Sequence, residues 1–443
     1  ERQYRGKKRK AMNITELQQS YASHPNVEGV CRLLKDNSVR HLYCGGLYAS
    51  AASLFSSVLV QRATCPLVFI LGDMEEAGYF YHDLTQILGT EQVLFFPSSF
   101  RRAIKYGQKD AANEILRTEV LSRLQKGEEG LCVVTYPDAL AEKVVSRKEL
   151  GENTLKLHAG ERVDMNFVTD VLRSYGFEYV DYVYEPGQYA VRGSIIDVFS
   201  FSSEYPFRID FFGDEVESVR TFEVETQLSK EKKESIVIVP DLSHSLEKKG
   251  SGGMVSFLDF LPSDSLLAMR DFLWLRERIQ TVHDESLTPQ AIAARESEEN
   301  GAITLEGKLI DGGEFTLRAL DFRRMEFGNK PTGTPDATIS FHTTVQPIFH
   351  KNFDMVAESF REYLSRHYTI YICSDSLKQT DRIRAIFEDR GDNISFTAVE
   401  RTLHEGFADD TLRICIFTDH QLFDRFHKYN LKSDKARRRE VLS

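Results

Sequence analysis

The stretch 184–222 constrains the fold more than any other part of the chain. Its β-branched and aromatic residues alternate with polar ones, and Gly193 and Gly213 interrupt the alternation. This pattern predicts short antiparallel strands, which we place at 188–199, 205–212 and 217–224. A helix is predicted just upstream, over 166–174, ending at Gly176. Three strands and a covering helix can form a small, stable module.

Strand alternation also predicts which residues share a face within 188–199, because successive side chains of a strand point to opposite faces. One face would carry Tyr189, Val191, Gly193 and Ile195, and the other Ala190, Arg192, Ser194 and Ile196. We therefore expect Arg192 to point away from the apolar face. The simplest role for such an arginine is an ion pair within the module. The candidate acids are Asp197, Asp210 and Glu217.

Outside this stretch the chain alternates between predicted strands and helices. Apolar runs such as 66–71 and 131–135 predict buried strands, and segments such as 74–88 and 377–389 predict helices. This alternation favours a parallel sheet with helices on both faces. The predicted fold class is therefore α/β: a parallel α/β domain, a small α+β module with an antiparallel sheet inserted into it, and a further small α/β domain.

Changes in composition suggest where these units begin and end. The module is expected to interrupt the larger domain, because α/β character resumes after the Gly- and Lys-rich linker 245–253. The predicted divisions are a tail or non-native remnant over 1–11, the first part of the α/β domain over 12–152, the inserted module over 153–243, the second part of the α/β domain over 244–336, the small C-terminal α/β domain over 337–432, and a basic linker over 433–443. We expect Met12 to be the natural start.

The net charge of the chain limits the partners that it can attract. It is −11 over 443 residues, and the first ten residues alone carry +5, which leaves −16 for the remainder. Non-specific DNA affinity comes mostly from neutralising phosphates, so a chain with this negative charge is expected to bind DNA poorly. The same charge suits a basic protein partner better. No apolar run is long enough for a membrane span, so no membrane contact is expected.

The segment 42–54 lies where a nucleotide-binding loop would occur, between a predicted strand and helix. Such a loop needs backbone donors for phosphates, a lysine for their charge and a hydroxyl for Mg²⁺. Gly45 and Gly46 are present, but no Lys or Arg occurs between His41 and Arg62. We interpret Gly45 and Gly46 as a degenerate loop, a turn that binds no nucleotide.

No other catalytic or metal-binding pattern stands out in the sequence. The G-x-S-x-G and H-E-x-x-H signatures are absent. Six scattered cysteines without a C-x-x-C pair suit a reducing cytoplasm better than a zinc site or disulfides. His420 has no second candidate ligand close by in the sequence. We therefore predict no catalytic residue, no metal and no cofactor in this chain.

Three segments carry a resemblance to known proteins. QYAVRGSIIDVF at 188–199, followed by FRIDFFGDE at 207–215, resembles the small domain shared by UvrB, the damage-recognition helicase, and the bacterial transcription-repair coupling factors. Residues 259–271 resemble another segment of that family, but Met269-Arg270-Asp271 stand where UvrB has an acidic ATPase motif. IFTDHQLF at 416–423 resembles a segment of the coupling factors that UvrB lacks.

The resemblance implies a degenerate RecA- or helicase-like α/β domain and a module that binds UvrA. The contact of this family is an Arg-Gly on an exposed strand, which points to Arg192 and Gly193, with Arg208 and Arg173 as further candidates. Where the family has a second contact arginine, this chain has Glu178. A complete coupling factor also binds RNA polymerase and moves along DNA with ATP and Mg²⁺, so those partners and cofactors are implied for the longer protein.

We therefore expect the N-terminal, UvrB-like part of a cytoplasmic transcription-repair coupling factor, which recruits UvrA to stalled RNA polymerase and does not itself hydrolyse ATP. An alternative is an active, ATP-dependent damage-recognition helicase of the UvrB type, which a lysine near residue 50 would have favoured. A third possibility is that the module serves only as a clamp within its own protein.

Overall fold

The computed structural model describes residues 11–99, 111–242, 253–286, 288 and 307–429. The tail predicted before residue 11, nearly all of the linker 245–253 and the basic linker 433–443 lie outside these ranges. Most of the described strands belong to three sheets of six or seven strands. We call them the seven-stranded sheet, the module sheet and the C-terminal sheet.

The seven-stranded sheet is entirely parallel. In spatial order its strands are Ala337–Ser340, His41–Gly45, Arg323–Glu326, Leu266–Met269, Leu67–Ile70, Cys132–Thr135 and Val93–Phe95. Every residue of Leu67–Ile70, Cys132–Thr135 and Leu266–Met269 is buried. Parallel sheets that are covered on both faces have such continuous apolar strands. The predicted parallel α/β fold is confirmed.

Helices pack around this sheet. They are Ile14–Ala22, Pro25–Lys35, Ala51–Arg62, Met74–Leu88, Ala111–Lys126, Pro137–Ala141, Arg147–Glu152, Phe257–Phe260, Phe272–Ser286 and Gly312–Ala319. Met74–Leu88 begins where the Asp73 side chain accepts the Glu76 amide and ends at Gly89, whose φ is 82°. Both termini are therefore set by local chemistry. No helix within the described ranges has the length and apolar character that a membrane span requires.

The module interrupts the seven-stranded sheet. The chain leaves this sheet after Cys132–Thr135 and returns to it with Leu266–Met269. Entry and exit are joined by two antiparallel strand pairs. These are Val144–Val145 with Met254–Val255, and Leu155–His158 with Ser235–Ile238. The two pairs hold the ends of the insertion together.

The module sheet has six strands. In spatial order they are Ser229–Lys233, Glu215–Phe222, Phe207–Phe212, Ile195–Val198, Gln188–Arg192 and Glu178–Tyr179. Neighbours are antiparallel except that Glu178–Tyr179 runs parallel to the adjacent strand. Helix Met165–Ser174 covers one face, where its Val168 and Leu172 pack with Ile196 and Ile209. This covered face is the core of the module.

The sequence predicted three strands in the module and missed both edge strands. Glu178–Tyr179 has only two residues, too few to show alternation. Ser229–Lys233 reads SKEKK, and four of its five residues are exposed. Charged and very short edge strands resist pairing with other chains. The short length of one strand and the charges of the other make them hard to predict, and the same two properties protect the sheet edges.

The C-terminal sheet is mixed. In spatial order its strands are Met12–Asn13, Thr397–Glu400, Thr369–Ser374, Ile414–Thr418, Phe407–Asp409 and Thr343–Val345. The first four are parallel to one another, and the last two run antiparallel to their neighbours. The described helices of this region are Phe353–Ser365, Leu377–Asp389 and Asp419–Leu422.

The topology corrects two predicted boundaries. Ala337–Ser340, expected to begin the C-terminal domain, pairs with His41–Gly45 at the edge of the seven-stranded sheet. The Asp336 carboxylate accepts the Arg40 and His41 amides at 2.8 and 2.9 Å, which fixes this pairing. Met12–Asn13, expected in the first domain, pairs with Thr397–Glu400 of the C-terminal sheet. Local sequence does not specify partners hundreds of residues away.

A buried polar cluster connects the N-terminal helices to the C-terminal sheet. The Asp409 carboxylate accepts the Tyr21 hydroxyl at 2.9 Å, and its Oδ2 lies 3.5 Å from Nε2 of His24. The side chains of His24 and Asp409 are both fully buried. Because a buried charge is stable only when it is paired and hydrogen-bonded, this cluster favours one relative placement of the two parts.

Candidate protein-binding site

Gly193 opens a tight hairpin in the module sheet. Gln188–Arg192 and Ile195–Val198 are antiparallel, and Arg192 pairs with Ile195, so Gly193 and Ser194 alone form the turn. Gly193 has a φ of 57°. A positive φ at the first of two turn residues is typical of a type II′ hairpin and favours glycine there. Gly193 therefore places Arg192 at the tip of the hairpin.

The hairpin changes which side chains share a face, because residues paired across antiparallel strands lie on the same face. Val191 pairs with Ile196 on the core face, and Arg192 pairs with Ile195 on the opposite face. The prediction that Arg192 points away from Tyr189 and Val191 is confirmed. The predicted placements of Ile195 and Ile196 are wrong, since the turn reverses the chain and moves each to the other face.

A buried carboxylate lies beside Arg192 on this outer face. Asp197 is 1% exposed, and its Oδ2 accepts a hydrogen bond from Nη2 of Arg192 at 2.5 Å. Arg208 donates from Nε to Oδ1 at 2.8 Å and from Nη2 to Oδ2 at 3.1 Å. Asp197 is thus the partner among the three predicted acids. Two arginines around one carboxylate leave a net positive charge, which favours an acidic partner group.

The two arginines differ in how many donors remain available. Arg208 is 17% exposed, donates also to the Gln227 carbonyl at 2.9 Å, and lies 4.4 Å from the ring centroid of Phe222. Arg192 is 40% exposed and donates only through Nη2 among its described contacts. A guanidinium has five N–H donors. Arg192 therefore keeps donors for a partner, whereas Arg208 holds Asp197 in place.

The structure does not bring Arg173 into this site. Arg173 lies on helix Met165–Ser174, which covers the core face, and it pairs with Asp170 at 3.3 Å. It is therefore on the opposite side of the sheet from Arg192. Tyr182, which the sequence did not single out, lies under the Arg192 guanidinium with its ring centroid at 5.1 Å. Only the folded loop before Gln188 reveals that contact.

The degenerate loop at Gly45 and Gly46 forms the predicted turn between a strand and a helix. Gly46 has a φ of 81°, and a Cβ there would lie 1.9 Å from the Phe341 carbonyl oxygen. The Tyr48 amide donates to the Thr343 hydroxyl at 3.0 Å. Residues 341–343 thus occupy the space beside the loop. They also accept the Tyr48 amide, a backbone donor that a bound phosphate would need.

An acidic cleft of about 310 Å³ opens beside this loop, at the carboxyl ends of the central parallel strands. Its charged lining residues are Asp73, Glu75, Glu76, Asp83, Arg270 and Glu405. Arg270 Nη1 pairs with Glu76 Oε1 at 2.7 Å, and the Ser50 amide donates to the Glu405 carbonyl at 3.2 Å. Carboxylates repel phosphates, so the charges of this cleft disfavour a nucleoside triphosphate.

Residues 155–244 match the family profile of the UvrB interaction domain. Proteins named transcription-repair-coupling factor match far beyond that range. The protein of Bacillus subtilis (strain 168) is 20% identical over 456 residues, which cover 85% of this chain and 38% of that protein. The protein of Staphylococcus aureus (strain bovine RF122 / ET3-1) is 22% identical over 455 residues, covering 88% and 39%. The chain is therefore similar to transcription-repair-coupling factors over most of its length.

A third coupling factor, from Escherichia coli (strain K12), is 29% identical over 198 residues, which cover 44% of this chain and 17% of that protein. The chain therefore spans less than two fifths of the length of these coupling factors. The match to the UvrB interaction domain contains Arg192, Gly193 and Arg208, so the outer face of the module sheet lies within it.

Proposed function

We propose that the module of this coupling-factor chain binds UvrA, and that the longer protein thereby recruits UvrA to stalled RNA polymerase. The observation that carries the proposal is the half-exposed Arg192 at the hairpin tip, held against buried Asp197 inside the range that matches the UvrB interaction domain. Arg192 can form a bidentate contact with a carboxylate of the partner, a geometry that lysine does not reproduce.

Exposed aromatic side chains near Arg192 support an interface at this face. Tyr182 and Tyr184 are 50% and 55% exposed in the loop that leads into the strand carrying Arg192. Arginine and tyrosine are both enriched among residues that dominate binding energy in protein interfaces. The net charge of the whole chain favours a basic partner, but this local site carries a positive charge and selects an acidic patch on the partner.

The α/β domain supports the module and does not hydrolyse ATP under this proposal. The glycine loop contacts its own chain, no Lys or Arg lies between His41 and Arg62, and the adjacent cleft is acidic. ATP, Mg²⁺, DNA and RNA polymerase are then bound by other parts of the longer coupling factor. The alternative, an active helicase of the UvrB type, requires phosphate binding in a cleft whose charges oppose it.

The proposal is tested by titrating the 443-residue chain with purified UvrA, RNA polymerase and duplex DNA in three separate calorimetric experiments. We expect saturable binding to UvrA and none to the other two at physiological salt. If RNA polymerase or DNA binds and UvrA does not, the proposed function is wrong. If none of the three binds, the module serves as a clamp within the longer protein.

A further inference from the structure

Three histidines of the C-terminal region, His404, His420 and His427, converge in the structure. His404 lies in the loop before strand Phe407–Asp409, His420 lies in helix Asp419–Leu422, and His427 follows that helix. One ring nitrogen of each lies within 4.8 Å of the other two. The sequence predicted no metal ligand because these histidines are not close in the chain. The three side chains come close together only in the folded chain.

The closest contact joins two ring nitrogens directly. Nδ1 of His404 lies 3.0 Å from Nδ1 of His427, and the rings of His420 and His427 stack with centroids 4.2 Å apart. Two nitrogens that bind one tetrahedral Zn²⁺ at about 2.1 Å lie roughly 3.4 Å apart. The observed separation is therefore close to that of two ligands on a shared ion. Because the rings of His420 and His427 are stacked, binding of all three nitrogens to one ion would require at least one of these two rings to rotate.

Neighbouring groups orient the three rings. Nε2 of His420 lies 2.7 Å from the His404 carbonyl oxygen and donates to it, which leaves Nδ1 available. The Tyr79 ring stacks on His404 with centroids 3.5 Å apart, and its hydroxyl donates to the His427 carbonyl at 2.6 Å. Metal-binding histidines usually donate their second ring nitrogen to a carbonyl or carboxylate in this way. The carboxylate of Asp419, 3.7 Å from Nδ1 of His420, adds negative charge beside the site.

A fourth histidine lies on the facing helix. His82 belongs to Met74–Leu88, and its ring centroid is 5.1 Å from that of His427. Its Nδ1 atom is buried and has no hydrogen-bond partner among the described residues. His82 therefore brings an unused nitrogen to the edge of the cluster, from a helix that packs on the seven-stranded sheet.

We propose that His404, His420 and His427 bind one divalent transition-metal ion of the Zn²⁺ type. Three imidazoles suit such ions, and the fourth position is open to water or His82. The ion would join the segment after helix Asp419–Leu422 to the loop at His404, beside the helix Met74–Leu88. Its role would be structural, holding these two segments together against helix Met74–Leu88.

The test uses the 443-residue chain without a polyhistidine tag, stripped with EDTA and titrated with ZnCl₂ at pH 7.5. We expect one Zn²⁺ per chain, a higher melting temperature with Zn²⁺, and d–d absorption of nitrogen-ligated Co²⁺ when Co²⁺ replaces it. In His404→Gln/His427→Gln, affinity should fall by more than about 100-fold, beyond the roughly 10–100-fold typical of losing an outer-shell partner. The matched control is His342→Gln/His350→Gln, at two exposed histidines of the C-terminal region, which should bind as wild type does.

Absence of saturable Zn²⁺ binding in the wild-type chain would overturn the proposal. Equal affinity in wild type and His404→Gln/His427→Gln would also overturn it, because the ion would then bind elsewhere. The circular dichroism spectrum shows whether that variant folds. If it does not, His420→Gln replaces it, with the same expected loss. The Co²⁺ spectrum of the wild-type chain tests nitrogen ligation without any substitution, and a spectrum typical of oxygen ligands alone would contradict the proposal.

Discussion

Arg208 donates to both carboxylate oxygens of Asp197, at 2.8 and 3.1 Å, from the neighbouring strand. This bidentate contact fixes the carboxylate, so Arg192 needs only one hydrogen bond to be held in place. Arg192, the first candidate from the sequence, and Arg208, a further one, therefore have different roles. Arg208 positions Asp197, and Arg192 presents its remaining donors to a partner.

Replacing Arg192 should weaken UvrA binding without unfolding the module. Removing one partner of a buried, charged interface contact typically costs about 2–5 kcal/mol of binding free energy. Folding should be affected less, because buried Asp197 keeps its two hydrogen bonds from Arg208 when Arg192 is removed. We expect Arg192→Ala to weaken UvrA binding by that amount and to keep a nearly unchanged melting temperature. Arg192→Lys should remain weak, because an ammonium group cannot make a bidentate contact. Calorimetric titration with UvrA gives both comparisons.

Arg173→Ala is the matched control for this experiment, since Arg173 is an exposed arginine of the same module on the opposite side of the sheet. It should bind UvrA as wild type does. Unchanged affinity in Arg192→Ala would refute the assignment of the contact. Lost affinity together with a collapsed melting temperature would instead assign Arg192 to the stability of the module.

Replacing Arg208 should destabilise the module. The substitution Arg208→Ala leaves buried Asp197 with one hydrogen bond from a half-exposed arginine, and breaking a buried ion pair typically costs about 3–5 kcal/mol. Arg220 lies opposite Arg208 on the adjacent strand and is exposed. Arg220→Ala should therefore change stability by less than about 0.5 kcal/mol.

The measurement for Arg208→Ala must report on the module itself. The only tryptophan, Trp274, lies in helix Phe272–Ser286 of the α/β domain, so its fluorescence does not follow the module. Hydrogen exchange of peptides from 188–222 does. Equal exchange protection in Arg208→Ala and Arg220→Ala would contradict a special role for the pair with Asp197.

The parts of the fold that the sequence predicted well are those set by neighbours in the chain. The bounds of helix Met74–Leu88 follow from the cap at Asp73 and from Gly89, and the buried strands follow from continuous apolar runs. The sheet that receives Ala337–Ser340 was not predictable, because its partner lies about three hundred residues earlier. Pairing between distant strands depends on the whole core and not on local pattern.

The candidate site shows the same limit. The sequence indicated Arg192 and three possible acids, but only the register of the hairpin selects Asp197. The sequence marks Gly193 as an interruption but does not distinguish a two-residue turn from a bent strand, so simple alternation assigns Ile195 and Ile196 to the wrong faces. The cluster of His404, His420 and His427 gave no signal, because its members come together only in the folded chain.

The chain should neither bind nor hydrolyse ATP. The Tyr48 amide is engaged by Thr343, and the adjacent cleft carries five carboxylates and Arg270, which pairs with Glu76. Titration with ATP and Mg²⁺ should give no saturable heat, and a phosphate-release assay should equal the blank. Micromolar affinity or measurable turnover in the pure chain would favour the alternative of an active helicase.

The chain should bind duplex DNA only weakly at physiological salt. Its net charge is −11, and without the +5 of the first ten residues it is −16. Because phosphate neutralisation supplies most non-specific affinity, any binding should come from those basic residues and disappear when residues 1–11 are removed. Gel shifts of both forms at two salt concentrations make the comparison. Strong, salt-sensitive binding that survives the truncation would contradict the expectation.

Asp409 should make the stability of the chain depend on pH. Burial opposes ionisation of its carboxyl, but the neighbouring His24 imidazole and hydrogen bonds from the Leu412 amide and the Tyr21 hydroxyl outweigh burial and lower its pKa below the ordinary value of 3.8. A carboxyl whose pKa is lower in the folded state stabilises the fold above its unfolded pKa, and this contribution is lost as the pH falls through the folded value. At pH 7, Asp409→Asn should cost about 1.5–3 kcal/mol, the range for hydrogen bonds to a charged group.

Urea unfolding of wild type and Asp409→Asn at a series of pH values from 7 to 3 measures this dependence. The difference in unfolding free energy between the two proteins should stay constant down to about pH 4 and shrink below it, because asparagine does not titrate. Asp354→Asn is the matched control, since Asp354 is exposed and its substitution leaves the buried cluster intact. A difference for Asp409→Asn that stays constant down to pH 3 would show that the Asp409 carboxyl has the same pKa in the folded and the unfolded chain. The cluster with Tyr21 and His24 would then contribute through its shape and neutral hydrogen bonds, and not through a buried charge.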